Sequence, residues 1–149
     1  MAAELAKVVS GRRAVVLGNG GASRAVRDAL EELEVDVDVV DRGRWPELPS
    51  LLADANLLVN ATPVGTASDD SPIPARLLRA DLAVLDLVYR PTPTRLVREA
   101  RGVGALAHGG AGMLLTQAVL SFELWTDRVA PVDVMAEALR VELGMPAHV

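Results

Sequence analysis

The chain has 149 residues, half of them apolar, a net charge of −5 and no cysteine. That length suits one domain, the acidic balance leaves no basic face for nucleic acid, and the missing thiols exclude disulfides and thiolate metal sites. No run approaches the roughly 18 apolar residues of a membrane span and no signal peptide is visible at Met1, so the expectation is a cytoplasmic protein with no membrane partner. Two histidines far apart, His108 and His148, make a zinc site a poor expectation. Residues 1–12 read as a short helix or tail. A strand follows over 14–17, then a glycine turn, then a helix over 22–33 with Ala22, Ala25, Val26, Ala29, Leu30 and Leu33 as its buried face. The second strand, 35–40, alternates Val with Asp, which predicts one partly exposed face. Residues 41–49 read as a loop with Pro46 and Pro49, and Ser50 as the cap of a short helix over 51–55. Strand three covers 57–59. A polar turn at 68–72 and one helical turn at 74–78 lead to strand four at 82–87. Thr94 caps a helix over 95–101, strand five follows at 104–107, and helices over 113–125 and 132–143 close the chain.

Strands alternating with helices predict a parallel, doubly wound α/β sheet. Ligands on such sheets sit at the carboxyl ends of the strands. Every unusual stretch falls at one of those ends: 18–23, 41–44, 60–66, 87–89 and 108–113. They therefore belong to one shared site. Gly18, Gly20 and Ser23 stand in a G-x-G-x-x-S spacing between the first strand and its helix, with Gly21 and Ala22 inside the turn. Glycines admit a phosphate close to the backbone, and the first-turn N–H groups have no partner within the helix. Asp41 ends the second strand about 20 residues further on, where a dinucleotide fingerprint places its ribose-binding residue. The predicted class is Rossmann-like.

The strand ends differ in what they offer. A carboxylate at Asp41 accepts from the 2′-OH of NAD and repels a 2′-phosphate, whereas a guanidinium at Arg42 or Arg44 binds that phosphate in a bidentate manner. Arg44 reads equally as a solvated loop arginine paired with Asp41. Small and hydroxyl residues at Asn60, Ala61 and Thr62 let a nucleotide approach, or else cap a local turn. Tyr89 reads as a hydrogen-bonding or packing residue, because Pro93 stands where a short-chain dehydrogenase would carry lysine. His108 receives no role. Met113 and Gln117 share a helix face. Met113 suits contact with a flat ring, and Gln117 is either a surface amide or a donor and acceptor for a polar ligand.

Several motifs together resemble the shikimate dehydrogenase family. They are Gly18-Asn19-Gly20-Gly21-Ala22-Ser23-Arg24-Ala25, Asn60-Ala61-Thr62-Pro63-Val64-Gly65, Asp86-Leu87-Val88-Tyr89-Arg90-Pro91 with Thr94, and Gly110-Ala111-Gly112-Met113-Leu114 with Gln117-Ala118 and Phe122-Glu123-Leu124-Trp125. The resemblance implies NADP-dependent reversible reduction of 3-dehydroshikimate to shikimate, in aromatic amino-acid biosynthesis. It implies that Gly20, Gly21 and Ala22 hold the pyrophosphate and Arg42 the 2′-phosphate. Thr62 and Leu87 would line the nucleotide groove, the Gly110 carbonyl and Met113 would meet the nicotinamide, and Tyr89 and Gln117 would reach the substrate. The sequence departs from the family at Asp41, where the family has Asn, which opens the way to NAD. It departs also at Pro63, which replaces Ser, and at Gly109, which replaces Asp.

The family's N-terminal substrate domain, with its catalytic Lys and Asp, has no counterpart in the chain. Lys7, the only lysine, does not match it by position. No catalytic residue is therefore assigned, and the chain is expected to bind cofactor but to turn over negligibly alone. Residues 1–112 form the dinucleotide-binding domain of this reading and 113–149 the helices that in the family pack back on the substrate domain. An exposed apolar patch around Leu120, Leu124 and the final helix follows, available to that domain or to self-association. Two other readings stand beside it: a nucleotide-binding module or partner subunit without catalysis, and an NAD-preferring, quinate dehydrogenase-like enzyme.

Overall fold

A computed structural model describes residues 13–146. The expectations for residues 1–12, Lys7 among them, and for His148 lie outside the described residues. Five strands run parallel in the order β2–β1–β3–β4–β5: β1 (Arg13–Leu17), β2 (Asp36–Val40), β3 (Leu57–Asn60), β4 (Ala83–Asp86) and β5 (Ala107–His108). Among the described residues five helices accompany them: α1 (Gly21–Glu31), α2 (Leu48–Asp54), α3 (Arg95–Gly102), α4 (Ala111–Thr126) and α5 (Val132–Glu142). No described helix is long and apolar enough to cross a membrane.

Strands covered on both faces must be apolar throughout. Ala14, Val15, Val16 and Leu17 of β1 are fully buried, as is all of β3. β2 lies at the edge of the sheet, which explains its alternating aspartates: Asp36 is exposed and Asp38 pairs with Arg13 at 2.8 Å. One core layer packs Val15, Leu17, Leu58 and Val84 against Leu48 and Leu52 of α2 and Leu96 and Val97 of α3. The other packs Ala14, Val16, Leu57 and Val59 beneath Leu30 of α1. Helices thus cover both faces, and the sheet is doubly wound. Strand order reverses at β1, so the crevice between the carboxyl ends of β1 and β3 is the topological switch point.

The described chain corrects three local expectations. First, only Leu30 and half-buried Val26 of the predicted α1 face pack inward; Ala22, Ala25 and Ala29 are exposed, and Leu33 is 48% exposed. The stripe that meets the sheet is Ser23–Val26–Leu30, one residue over. In an alanine-rich helix two neighbouring stripes carry the same period, so periodicity does not choose between them. Second, Ser50 is no cap. A 3₁₀ turn at Trp45–Glu47 runs directly into α2, Pro49 occupies its first turn, and Ser50 Oγ donates to the Glu47 carbonyl at 2.7 Å. Third, strand five begins at Ala107, not at 104. Gly104 at φ +85° closes α3 in a Schellman turn, with Ala105 N–H donating to the Ala100 carbonyl and Gly104 N–H to that of Arg101.

Candidate nucleotide-binding site

The glycines of the first turn have different duties. Gly18 lies at φ +99°, and a Cβ there would stand 3.0 Å from the Ala61 carbonyl oxygen and 3.2 Å from Thr62 Cγ2. It is required by packing of the turn against the end of β3. A Cβ on Gly20 or Gly21 would meet nothing within 4 Å, so these two leave an open approach. Gly20 caps α1 without a side-chain hydrogen bond, which leaves the first-turn N–H groups of Gly21 and Ala22 without a capping side-chain acceptor. Ser23 lies beneath the turn: it is buried, and its Oγ donates to the Gly18 carbonyl at 2.7 Å. Its part is to fold the turn back on α1.

At the end of β2, Asp41 Oδ1 accepts from the backbone N–H of Gly43 at 2.9 Å and of Arg44 at 3.2 Å. That carboxylate oxygen closes the turn. The Arg44 guanidinium is engaged with the Val39 carbonyl, Asp38 and Glu47. Arg42 is exposed and has no ion pair among the described residues. A groove of about 510 Å³ runs past Gly18, Gly20, Asp41, Arg42, Trp45 and Thr62. A second cavity of about 510 Å³ continues from Thr62 and Ala22 to Leu87, Val88 and Tyr89. Ala61, Thr62 and Pro63 border both, so the two are halves of one trough along the strand ends.

Beneath the trough, β3 and β4 end in a buried polar pair, in which Asp86 has a part that its motif alone does not disclose. Asn60 and Asp86 are register partners, and both are fully buried. Asn60 Nδ2 donates to Asp86 Oδ1 at 2.9 Å, and Thr94 Oγ1 donates to Asp86 Oδ2 at 2.7 Å. Val88 N–H also donates to Asp86 Oδ1, at 3.1 Å. Burial pushes the Asp86 carboxyl above its ordinary range, against the opposing pull of the Thr94, Val88 and Asn60 hydrogen bonds. Thr94 itself caps α3, accepting from Val97 N–H as expected.

The remaining expected residues lie further along. A Cβ on Gly110 would collide with the Leu87 carbonyl oxygen, so this glycine lets the start of α4 touch the end of β4. Its own carbonyl accepts from Leu114 N–H in the first turn of α4. Tyr89 is 44% exposed at the far end of the trough. Met113, half-buried, and Gln117, exposed, sit one turn apart on α4 and line neither half of the trough. The structure thus brings together the glycine turn, Asp41, Arg42, Thr62, Leu87 and Tyr89, and leaves Met113 and Gln117 outside.

A parallel sheet with an open glycine turn at its switch point and a free guanidinium at the next strand end defines a dinucleotide-binding α/β domain. The comparisons with known proteins sharpen that class. Residues 110–140 match the model of the shikimate 5′-dehydrogenase C-terminal domain. The NADP(+) shikimate dehydrogenase of Natronomonas pharaonis is 45% identical over 147 residues, covering 87% of this chain and 56% of that protein. The Thermus thermophilus shikimate 5-dehydrogenase, solved with NADP(H) and shikimate, superposes with a TM-score of 0.76 at 38% identity, over 94% of this chain and 59% of its own. Quinate dehydrogenase from Corynebacterium glutamicum, solved with NAD, superposes with a TM-score of 0.75 at 28% identity, over 89% and 55%. The chain belongs to the shikimate dehydrogenase family and spans a little over half the length of the relatives it matches.

Proposed function

We propose that the chain is the cofactor half of a shikimate dehydrogenase and binds NADP(H) in the trough at the strand ends. The observation that carries this reading is the contrast at the end of β2. Asp41 has one carboxylate oxygen tied into its own turn, Arg44 is held by Asp38 and Glu47, and Arg42 projects free beside the groove. A free guanidinium is the group a 2′-phosphate needs. The open faces of Gly20 and Gly21 and the uncapped start of α1 fit a pyrophosphate. Bound there, the cofactor would supply hydride to a carbonyl carbon, or take it back from the corresponding carbinol carbon. This chain's residues then hold and orient it: Arg42 at the adenosine end, Thr62 in the middle, Leu87 and Gly110 near the ring, with Tyr89 and Gln117 toward substrate. Proton transfer falls to the part of the relatives that the chain does not span, so turnover of shikimate by this chain alone is negligible.

In this reading residues 1–112 are the nucleotide domain and 113–149 the helices that seat the remainder of the enzyme. Titration calorimetry with NADP⁺ and NAD⁺ tests it. NADP⁺ binds more tightly, and Arg42→Ala weakens it roughly 10- to 100-fold, the worth of a charge-assisted contact, while leaving NAD⁺ nearly unchanged. Preference for NAD⁺ would show that Asp41 governs and would place the chain with the NAD-using quinate enzymes. Binding of neither would remove the reading.

A further inference from the structure

The Asn60–Asp86–Thr94 cluster is fully enclosed, yet its hydrogen bonds lead to both walls of the trough. Asn60 spends its whole amide. Nδ2 donates to Asp86 Oδ1 and to the Val64 carbonyl at 3.4 Å, and Oδ1 accepts from Thr62 N–H at 3.0 Å and Thr62 Oγ1 at 2.6 Å. An amide turned the other way would set its NH₂ against the Thr62 N–H, so the acceptor at Asp86 fixes the orientation that holds Thr62. The same Asp86 oxygen takes the Val88 N–H, which fixes the backbone one residue before Tyr89. Thr62 borders both halves of the trough, and Val88 and Tyr89 border the second.

We propose that Asp86 is a positioning residue for the cofactor. Through Asn60 on one side and Val88 N–H on the other, it sets the separation of the 61–63 turn and the 87–89 segment, the walls between which the nicotinamide half enters. The proposal rests on the NADP(H) reading of the trough. A buried carboxylate is a costly way to join two strands that the parallel ladder already joins. What the carboxylate adds is a single acceptor group shared by both site walls and by the cap of α3. Asparagine can fill the same role. Its oxygen accepts from Asn60 and Val88, its NH₂ donates to Thr94 Oγ1, and the Thr94 hydroxyl rotates to accept.

The test compares two ligands by calorimetry. NADP⁺ occupies both halves of the trough, whereas adenosine 2′,5′-bisphosphate fills only the Gly18–Arg42 half. In Asp86→Ala, NADP⁺ affinity falls about tenfold or more while the bisphosphate stays within about threefold of the native chain, and Asp86→Asn restores NADP⁺ to within about threefold. Asn60→Ala, which frees Thr62 but leaves Asp86 its other two donors, gives the same split and decides the matter if Asp86→Ala does not fold. A variant that loses both ligands equally, or neither, overturns the positioning role. A native chain that binds neither ligand overturns the trough reading and this one with it. A native chain that binds the bisphosphate establishes the trough independently of what the Asp86 variants do.

Discussion

Gly110 and Asp86 show how closely single residues are specified where the strands end. Any side chain at Gly110 collides with the Leu87 carbonyl, which is backbone and has nowhere to move. Gly110→Ala is expected to destabilise the chain by about 2 kcal/mol or more, read as a lower urea midpoint. Gly20→Ala, with open space around it, meets no clash and should cost only the roughly 0.5 to 1 kcal/mol of putting alanine at an N-cap. Glycines look alike in sequence; their duties depend on what stands opposite, which the sequence does not print. Asp86 carries a pH signature. Its folded pKa is raised by burial. The native state therefore holds the proton more tightly, so this group's contribution is fully present below its unfolded pKa of about 3.9 and is lost as pH rises through the folded value. Asp86→Asn lacks that loss. Its stability relative to the native chain should grow between about pH 4 and neutrality, measured by urea denaturation at each end; a gap that shrinks with rising pH would contradict the sign.

Among the elements, α3 is held at both ends by local chemistry: the Thr94 hydroxyl at its start and Gly104 at its close. Thr94→Ala removes the cap and one donor to Asp86, and is expected to cost about 1 to 2 kcal/mol by chemical denaturation. The Thr94 cap was legible in the sequence because a hydroxyl after a Pro-rich break and before a helical pattern has a short-range meaning, whereas at Ser50 the helix had already begun at Leu48. Also legible were the five strands and the glycine turn after β1, since β-branched runs and glycine turns are local signals. The face of α1 was not legible: Ala22 and Ala25 are as apolar as the residues that pack, and only the sheet beneath decides. The start of β5 was missed because a helix-closing glycine and the beginning of a strand look the same in Gly104–Ala107. The contrast between Arg42 and Arg44 was equally hidden, because Arg44's partner Asp38 lies on the preceding strand.

At the scale of the whole molecule, large apolar side chains stand exposed among the described residues. Leu120, Leu124, Trp125, Val129 and Val134 on and between α4 and α5 are each more than 60% exposed. The expectation of a patch around Leu120 and Leu124 is met, and Trp125 makes it larger. Patches of this kind mark interfaces, and aromatic residues at their centre carry much of the affinity. The chain should associate with rising concentration under light scattering, and the Leu124→Glu, Trp125→Glu double variant should remain monomeric; a native chain that stays monomeric throughout would contradict this. A last consequence follows from strand order. β1 is both the first described strand in sequence and the one from which the sheet extends in both directions, so each later strand joins an edge already present and none must insert between paired neighbours. During vectorial synthesis, a nascent chain that has emerged as far as Val64 already holds β1, β2 and β3 and hence the Gly18–Arg42 half of the trough. The half lined by Leu87, Val88 and Tyr89 waits for β4, so on the proposed NADP(H) reading a growing polypeptide can begin to grip its ligand before its own sheet is finished.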